Sequence, residues 1–393
     1  MVETSLQLSF DDTSIAFSGK NDQALRKTYR LFKLMNNGNL VRMGTKAATL
    51  ALNMHLPVKG LIKQTIYQQF CGGEDLQETV RVLNELEQYN VSAILDYGVE
   101  GKESEAEFKR TCDQLIHTLQ FAGTQRNVPY ISCKVTGITR FDLLAKISSG
   151  ETLSAAESAE KKKLYDRMFS IAEAAQKAGI GLYVDAEETW IQDAVDNLVF
   201  ELMRTFNRQK AVVFSTPQMY RHDRLEFCKR SLADAQEHGY ILGLKPVRGA
   251  YMEKERRRAA EKGYPSPIQV DKAATDRDYD AVLNLALDHL DRIAICAATH
   301  NEKSSMLLAE GTVRRGVEPR HPHVHFSQLY GMSDHITFNL AQSGFHVSKY
   351  LPYGPVKDVI PYLIRRAQEN TSVAGSMSRE LSLIYKEIKR RAL

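Results

Sequence analysis

A tyrosine and two adjacent arginines lie close together near the end of the chain, within the stretch YLPYGPVKDVIPYLIRRAQEN (residues 350–370). On a helix, Tyr362, Arg365 and Arg366 occupy positions i, i+3 and i+4, which lie on one face. Inward-facing guanidiniums repel each other unless an anion lies between them, and each offers a planar fork of donors that suits a carboxylate. The spacing therefore predicts a carboxylate site, with a solvated arginine pair on a surface helix as the alternative.

The start of this helix is predicted from Asp358, because an aspartate at the N-cap accepts a hydrogen bond from a backbone N–H of the first turn. Pro361 would then lie in that first turn, where its missing N–H costs no hydrogen bond. The helix is thus expected to begin just before the tyrosine and to carry it and both arginines.

The elements that must position such a site follow a regular rhythm, in which a short β-branched or aromatic run precedes an amphipathic helix. We predict eight strands, at Thr65–Phe70, Ser92–Tyr97, Tyr130–Val135, Gly181–Ala186, Val212–Thr216, Leu242–Val247, Ile293–Ala298 and His323–Leu329. Helices are predicted at Leu76–Gln88, Glu103–Phe121, Glu157–Ala178, Ile191–Asn207, Asp223–Glu237, Asp271–His289, Glu302–Glu310 and Ser333–Ala341. Eight alternating units predict a (β/α)8 barrel, an α/β fold with a parallel sheet. A doubly wound open sheet is the alternative, disfavoured because no GxGxxG follows an early strand.

The first part of the chain precedes this rhythm. Residues 1–63 contain the helical pattern DQALRKTYRLFKLMNN, followed after a Gly-Asn break by a second helical pattern. We therefore predict an N-terminal helical arm over residues 1–63 and a barrel domain over residues 64–393.

Polar residues occur at the ends of five consecutive predicted strands. The first two are Lys134 and Asp185; Gln218, Lys245 and Thr299 mark the next three, with His300 and Asn301 directly following. Because the C-terminal ends of barrel strands carry the chemistry, this repetition predicts a binding cavity. Taken singly, Asp185 could instead cap the next helix, Lys134 could form a plain ion pair, and His300 could be a structural hydrogen-bonding residue.

The composition narrows the class of protein. A formal net charge of +4, with 43% hydrophobic and 25% charged residues, is typical of a soluble globular protein and gives no argument for a nucleic-acid partner. The five cysteines have no CxxC spacing, and the alternating histidines of HPHVH have no second ligand cluster, so we predict reduced thiols and no metal. No secretory signal and no bilayer-length apolar stretch is visible, which predicts a cytoplasmic location, with peripheral membrane contact left open.

Four motifs in these same regions carry a family resemblance. YVDAEET (residues 183–189), LKPVRGAYMEKE (244–255), ATHN (298–301) and the stretch 350–370, taken in this order, resemble the proline dehydrogenases. That family includes mitochondrial monofunctional enzymes and the dehydrogenase domain of proline utilization A. The resemblance runs from about Phe70 to Ser372 and leaves the first sixty residues uncovered.

The resemblance implies a distorted (β/α)8 barrel that binds FAD non-covalently, with the final helix over the barrel mouth. It implies that Arg365 and Arg366 bind the carboxylate of proline, assisted by Lys134, which pairs with Asp185. The implied substrate-site residues are Lys134, Asp185, Tyr251, Leu329, Tyr350, Tyr362, Arg365 and Arg366. The implied cofactor residues are Ala186, Gln218, Lys245, Val247, Gly249, Ala250, Thr299, His300, Asn301 and Glu369.

The reaction that the resemblance implies is oxidation of L-proline to 1-pyrroline-5-carboxylate, the first step of proline catabolism, with electrons passed to a quinone. A separate pyrroline-carboxylate dehydrogenase would take the product, and the protein could lie peripherally at the inner face of a membrane. Two alternatives stay open: a flavin dehydrogenase for hydroxyproline or another imino acid, and a catalytically silent barrel that binds an amino acid.

Overall fold

The structure, a computed structural model, describes residues 6–39, 41, 43–44, 59–98, 101–372 and 376–393. The strands are β1 Ser92–Tyr97, β2 Tyr130–Lys134, β3 Gly181–Asp185, β4 Val213–Phe214, β5 Leu242–Leu244, β6 Ile293–Ala298, β7 Val324–Leu329 and β8 Val347–Tyr353. The first helices are α1 Thr13–Ala16, α2 Asp22–Met35, α3 Lys59–Ile62, α4 Gln68–Phe70, α5 Leu76–Glu87, α6 Glu105–Gly123, α7 Phe141–Ser148 and α8 Ala155–Ala178. The remaining ones are α9 Thr189–Phe206, α10 Arg224–His238, α11 Met252–Lys262, α12 Lys272–Asp288, α13 Glu302–Arg314, α14 Asp334–Gln342, α15 Val356–Ser372 and α16 Ser376–Arg390. A π-helical turn, Lys63–Tyr67, joins α3 to α4, and a 3₁₀ turn, Val135–Gly137, follows β2.

The eight strands form one sheet with the order β4-β3-β2-β1-β8-β7-β6-β5. Parallel bridges between Ser215 and Leu244 and between Gln218 and Val247 bring the two ends of this order together. Consecutive strands are therefore neighbours all the way round, with helices between them. This is the strand order of a (β/α)8 barrel, so the predicted fold class is confirmed.

Local sequence signals explain where two of the outer helices begin and end. Helices α6 and α8 both start with a capping box, in which Ser104 and Glu107, and likewise Ser154 and Glu157, satisfy each other's backbone N–H groups. Helix α8 ends at Gly179, which adopts the left-handed backbone conformation with φ of 74°. These devices fix the lengths of the helices that cover the parallel strands.

The eight predicted strands include one error and one omission. Seven of them correspond to β1–β7, but Thr65–Phe70 is helical, and the eighth strand, Val347–Tyr353, was not predicted. Tyr67 and Phe70 are both buried and stand three residues apart, which is helical spacing. Strand β8 contains the charged Lys349 and the strand-breaking Pro352, so its sequence lacks the pattern typical of a buried strand.

The predicted start of the arginine-bearing helix was also wrong. Helix α15 begins at Val356, so Asp358 lies in the first turn instead of capping it, and Pro361 lies inside the helix. The carbonyl of Pro355 already accepts a hydrogen bond from the N–H of Asp358, at 2.8 Å, so the helical turn starts earlier than the aspartate. Pro361 consequently removes one internal hydrogen bond.

The chain divides into two compact units, which we describe separately. The terminal unit comprises residues 1–93 and 327–393, and the central unit comprises residues 94–326. The core of the terminal unit is built from both ends of the chain, with Phe17, Leu25 and Phe32 packing in one cluster with Val359, Leu363, Leu383 and Ile384. The predicted boundary between residues 63 and 64 stays a prediction, because most of residues 40–58 lie outside the described residues.

Two further properties concern the thiols and the helices. All five cysteines lie within the described ranges, and each is buried and outside any disulfide. Across the same ranges, no helix combines the length and the apolar character needed to cross a bilayer. The longest helix, α8, carries charged residues along its length.

Candidate active site

Two lysines and two aspartates meet at strand ends in the central unit; we call Asp96, Lys134, Asp185 and Lys245 the lysine–aspartate group. Lys134 and Asp185 are paired residues of β2 and β3, so the register places them side by side. The ammonium of Lys134 lies 3.6 Å from Asp185 Oδ2 and 3.5 Å from Asp96 Oδ1. Lys245, directly after β5, donates to Asp185 Oδ1. Asp185 therefore bridges two ammonium groups that come from different strands.

The members of this group differ in exposure. The side chains of Asp96 and Lys245 are 2% and 5% exposed, whereas those of Lys134 and Asp185 are 11% and 13% exposed. Because a charge this deeply buried needs an opposite charge close by, the group is held together by its own pairing. Lys134 and Asp185 are the members that a ligand can reach.

Asp185 is not a helix cap. The residue at the N-cap of helix α9 is Glu188, three positions further along the chain. The carboxylate of Asp185 instead has the two lysine partners, which disfavours the alternative that its position serves only the next helix. The charge of Asp185 is therefore available to set the electrostatics of the strand ends.

An aromatic cluster packs beside the lysine–aspartate group. The rings of Tyr130 and Tyr183 stack with centroids 4.6 Å apart, and Phe214 meets both rings edge-on. The ammonium of Lys245 lies 5.1 Å from the centroid of the Tyr183 ring, within the range of a cation–π contact. Tyr183 is fully buried, and burial raises the pKa of its phenol. The cluster gives the charged group a rigid, apolar support.

Gln218 presents a buried acceptor atom, its side-chain Oε1. Its amide nitrogen donates to the carbonyl of Glu187 at 2.6 Å and to the hydroxyl of Tyr220 at 2.7 Å. These two bonds occupy both amide protons, so the orientation of the amide is fixed. The residue is 1% exposed, and none of the described residues donates a hydrogen bond to its Oε1. A buried acceptor of this kind fits a ligand N–H.

Glu187 links the loops that follow β2 and β3. Its carboxylate accepts hydrogen bonds from the hydroxyl of Thr136 at 2.6 Å and from the backbone N–H of Thr136 at 3.3 Å. Burial raises the pKa of Glu187 to about 7, although the Thr136 hydrogen bonds oppose that shift. The backbone N–H of Glu187 donates to Gln192 at 3.1 Å. One residue thus connects Gln218, the β2 loop and helix α9.

Arg248 ties the ends of β5 and β6 together. Its guanidinium donates to the hydroxyls of Thr299 at 2.8 Å and Ser304 at 2.7 Å, and it lies 3.6 Å from the centroid of the Tyr279 ring. Thr299 also accepts the backbone N–H of Asn301 at 3.1 Å. The arginine therefore holds the segment that carries three of the predicted cofactor residues.

The three predicted cofactor residues after β6 have different surroundings. The side-chain oxygen of Asn301 caps helix α13, accepting from Lys303 N at 2.9 Å and Ser304 N at 3.2 Å. Thr299 is buried between Arg248 and Asn301, whereas His300 is half-buried at the surface of the turn. Asn301 is thus fixed at the start of helix α13, and Thr299 and His300 directly precede it.

The segment after β5 supplies the remaining predicted cofactor residues. Val247 forms a bridge with Gln218, and its N–H donates to the carbonyl of Pro217 at 3.0 Å. Gly249 has φ of 77°, a left-handed conformation that a side chain disfavours. Ala250 and the half-buried Tyr251 follow directly, and Tyr251 takes the N-cap position of helix α11. The turn at Gly249 allows the chain to change direction between strand and helix.

In the terminal unit, helix α15 brings the predicted aromatic and cationic residues onto one face. Tyr362 and Arg366 are both 8% exposed, and the guanidinium carbon of Arg366 lies 5.1 Å from the centroid of the Tyr362 ring. Arg365 is half-buried. The alternative of a solvated arginine pair on a surface helix therefore does not hold for Arg366, because its side chain is buried.

Two more predicted residues lie on the strands of the terminal unit. Leu329 is the last residue of β7, and Tyr350 lies in the middle of β8. The backbone N–H of Tyr330 donates to the carbonyl of Tyr350 at 2.9 Å, which fixes the end of β7 against the middle of β8. Both side chains are half-buried.

Of the predicted residues, Lys134, Asp185 and Lys245 are brought into contact, as are Tyr362 and Arg366. The side chain of Glu369 lies outside the described residues. Asp96 was missed as the second partner of Lys134; its polar side chain within the apolar run SAILDY was the available signal. The network through Glu187 joins residues far apart in sequence, so spacing gave no signal for it.

Comparison with known proteins gives a consistent set of similarities. The sequence model of one protein family, described as proline dehydrogenase, matches residues 79–379. The carbapenem antibiotics biosynthesis protein CarD of Pectobacterium carotovorum subsp. carotovorum is 33% identical over 335 residues, 85% of this chain and 86% of that protein. Mitochondrial proline dehydrogenase 2 of Arabidopsis thaliana is 31% identical, covering 85% of this chain and 79% of the relative. Hydroxyproline dehydrogenase of Xenopus laevis is 29% identical, covering 98% and 90%.

Among solved structures, the chain is similar to proline utilization A (PutA) from Bdellovibrio bacteriovorus inactivated by N-propargylglycine. The TM-score is 0.72 over 95% of this chain, with 21% sequence identity. At this identity the similarity establishes the fold. The chain spans 40% of the length of that protein.

Proposed function

Since this chain belongs to the proline dehydrogenase family, we propose that it is an FAD-dependent enzyme that oxidises L-proline to 1-pyrroline-5-carboxylate. The oxidation removes a hydride from the ring carbon beside nitrogen and a proton from nitrogen, leaving a carbon–nitrogen double bond. Bound FAD would supply the two-electron acceptor for this step. The protein must hold the substrate, orient its ring and exclude water.

The observation that carries the proposal is the lysine–aspartate group at the strand ends. Asp185 pairs with both Lys134 and Lys245, and Asp96 supplies the second negative charge. Neither ammonium is therefore buried alone, and Lys134 keeps enough exposure to reach an anionic ligand. We assign Lys134 to the substrate carboxylate and Lys245 to the region of the reacting flavin nitrogen. A fixed ammonium there would favour the extra negative charge of a reduced cofactor.

Gln218 supports the assignment of a flavin. Its buried Oε1 has no partner within the described parts of the chain, and its amide cannot turn without losing two hydrogen bonds. The pyrimidine edge of a flavin presents an N–H that this acceptor fits. We assign Ala186, Val247, Gly249 and Ala250 to the ring system, and Thr299, His300, Asn301 and Glu369 to the ribityl, phosphate or adenosine parts.

Helix α15 supplies the residues that we assign to the anionic end of proline. Arg365 and Arg366 would bind the carboxylate through paired donors, because two guanidinium forks match its geometry. The contact between Arg366 and the Tyr362 ring limits the freedom of that guanidinium.

We assign Tyr251, Leu329, Tyr350 and Tyr362 to the pyrrolidine ring. Tyr350 would lie on the side where a 4-hydroxyl group projects, so the enzyme should prefer L-proline to trans-4-hydroxy-L-proline. A rigid aromatic wall rejects the hydroxyl by steric overlap and by giving it no hydrogen-bond partner. This assignment separates the proposed activity from that of a hydroxyproline dehydrogenase.

A quinone is the electron acceptor that we propose, with the protein cytoplasmic and in peripheral contact with the membrane. An initial test of the activity is turnover of L-proline with an artificial acceptor, followed by chemical detection of 1-pyrroline-5-carboxylate. We expect product, and faster reoxidation by a soluble quinone than by dioxygen. A flavin-loaded protein that releases no pyrroline product would refute the activity, and reoxidation by dioxygen alone would refute the quinone.

A further inference from the structure

Four charged side chains lie close together in the terminal unit, and none of them belongs to the proposed substrate or cofactor residues; we call Lys20, Asp334, Lys349 and Glu380 the buried charge cluster. The ammonium of Lys349 lies 2.8 Å from Asp334 Oδ1, and that of Lys20 lies 3.3 Å from Asp334 Oδ2. The side chain of Lys349 is 1% exposed and that of Asp334 is 8% exposed. Burying charges this deeply is costly even when they are paired, so a hydrophobic alternative would be at least as stable.

The charged state of the cluster follows from its geometry. Burial alone would raise the pKa of Asp334, but the ammonium groups of Lys349 and Lys20 bring it down to about 2. Asp334 is therefore ionised at neutral pH and binds both lysines. Burial likewise raises the pKa of Glu380, whose carboxylate accepts the backbone N–H of Ser333 at 2.8 Å.

The cluster converges on one short segment, residues 329–334, which joins β7 to α14. Lys349 also donates to the carbonyl of Met332 at 2.5 Å, while Glu380 binds Ser333. Ser333 has φ of 51°, a left-handed conformation that is unfavourable for a non-glycine residue. At Gly331, with φ of 79°, an added Cβ would lie 1.9 Å from the carbonyl of Gln69. Such a backbone persists only where its surroundings hold it.

Three distant parts of the chain hold this segment. Lys349 comes from strand β8, Glu380 from helix α16, and Lys20 from the turn between α1 and α2. The backbone of that turn is itself fixed, since Arg391 donates to the carbonyls of Lys20 at 2.7 Å and Phe17 at 2.9 Å. The N-terminal segment therefore reaches the β7–α14 connection directly.

Residues 329–334 border two of the four residues that we assign to the pyrrolidine ring. Leu329 is its first residue, and Tyr350 follows Lys349 directly in β8. Successive side chains on a strand point to opposite faces, so burying Lys349 turns Tyr350 to the other face. The hydrogen bond from Tyr330 N to Tyr350 O, at 2.9 Å, couples the two positions.

We propose that Lys20, Asp334, Lys349 and Glu380 are positioning residues that fix Leu329 and Tyr350 and thereby set the preference for an unsubstituted pyrrolidine ring. This inference rests on the proposed function. It gives the N-terminal segment a part in substrate choice through Lys20, although Lys20 itself touches no substrate. The ionic links hold backbone and strand register, whereas the tyrosine and leucine side chains make the contact.

The test uses Lys20→Met, because the Lys20 side chain is 24% exposed and its loss leaves the Lys349–Asp334 pair intact. Lys33→Met is the matched control, since Lys33 is exposed on helix α2 of the same unit. The readouts are the ratio of kcat/KM for L-proline to that for trans-4-hydroxy-L-proline, and hydrogen exchange of the Tyr330 and Ser333 amides. Lys20→Arg tests whether another cation at this position keeps both the kcat/KM ratio and the exchange rates at their wild-type values.

We expect Lys20→Met to lower the ratio about three- to tenfold and to speed exchange of both amides. Lys33→Met and Lys20→Arg should match the wild type. A Lys20→Met variant with the wild-type ratio and wild-type exchange overturns the inference, provided that the wild type oxidises proline. Failure of the wild type to oxidise either substrate instead overturns the proposed function, and the inference falls with it. If neither Lys20→Met nor Tyr350→Ser changes the ratio of the two kcat/KM values, Tyr350 does not set substrate choice. The inference, which depends on that role of Tyr350, is then wrong.

Discussion

Asp185 has two ammonium partners, Lys134 and Lys245, at the strand ends of the central unit. Lys134 can turn to Asp96 if Asp185 is lost, at 3.5 Å in the structure. Lys245, whose side chain is 5% exposed, has Asp185 as its ion-pair partner. Asp185 therefore matters most for the lysine that we assign to the cofactor.

Replacing Asp185 by asparagine should break its buried ion pair with Lys245. Breaking a buried pair costs about 3–5 kcal/mol of the free energy of unfolding. We expect less bound flavin per protein and a lower kcat/KM for proline, measured by absorbance and steady-state kinetics. Asp193→Asn, at an exposed position on helix α9, is the control. Full flavin content with normal turnover in Asp185→Asn would show that the bridge is dispensable.

Arg365 is the arginine of the pair with more exposure, so its replacement tests ligand binding with least damage to packing. Arg365→Met should remove a charge-assisted interaction. We expect kcat/KM for proline to fall by the equivalent of about 2–5 kcal/mol of transition-state stabilisation. Arg30→Met, at an exposed position on helix α2, should have wild-type kinetics. If Arg365→Met also had them, the carboxylate would have to be bound elsewhere.

Tyr350 provides a test of substrate choice. Tyr350→Ser should narrow the preference for L-proline over trans-4-hydroxy-L-proline by about tenfold, mainly through a higher KM for proline. Tyr350→Phe keeps the ring and should keep the preference. The measurement is kcat/KM for both substrates in all three proteins. Equal use of both substrates by the wild type would contradict the wall assignment.

At the scale of elements, periodicity predicted the β/α alternation well because most strands are short, apolar and flanked by long amphipathic helices. It failed at Thr65–Phe70, where a short aromatic run fits a helix and a strand equally well. It also failed at Val347–Tyr353, where a lysine is buried by ion pairing with Asp334. A buried charge is invisible to hydrophobic periodicity, because its partner is remote in sequence.

The candidate site was predictable to a different extent. Residues at strand ends, such as Lys134 and Asp185, follow from the barrel geometry once the strands are known. Their shared partners do not, since Asp96 and Lys245 come from other strands and the pairing depends on register and side-chain direction. The roles toward proline and flavin came from the family resemblance and stay predictions.

Glu187 gives the loops after β2 and β3 a pH-dependent link. Its pKa is raised by burial from 4.5 to about 7, so between these values the unfolded chain is ionised while the folded chain keeps the proton. The unfolded state then binds fewer protons, and the free energy of unfolding should fall as pH rises, by on the order of 3 kcal/mol across the range.

The measurement is chemical unfolding of the wild type and Glu187→Gln at several pH values from 4.5 to 7, the ordinary and raised values. Glutamine cannot ionise, so the difference in unfolding free energy between the two proteins should change with pH. Glu237→Gln, at an exposed position on α10, should run parallel to the wild type. Parallel curves for Glu187→Gln as well would show that the carboxyl does not titrate in this range.

For the whole molecule, both chain ends belong to the same compact unit as helix α15. Phe17 and Phe32 from the start of the chain and Leu383 and Ile384 from its end pack in the cluster that buries Val359 and Leu363 of that helix. These elements therefore support the arginine-bearing helix. The match to the family covers them only in part, because it begins at residue 79. Stability of this unit should be required for binding the substrate carboxylate.

Proline oxidation by a bound flavin is tested by anaerobic addition of L-proline to the purified protein while its visible spectrum is recorded. We expect a yellow protein whose flavin absorbance bleaches on adding L-proline, with formation of 1-pyrroline-5-carboxylate in amounts equal to the flavin reduced. Chemical reduction by dithionite gives the full extent of bleaching for comparison. The proposed activity would be refuted by a flavin that dithionite reduces but L-proline leaves unchanged, or by a protein that binds no flavin when FAD is supplied.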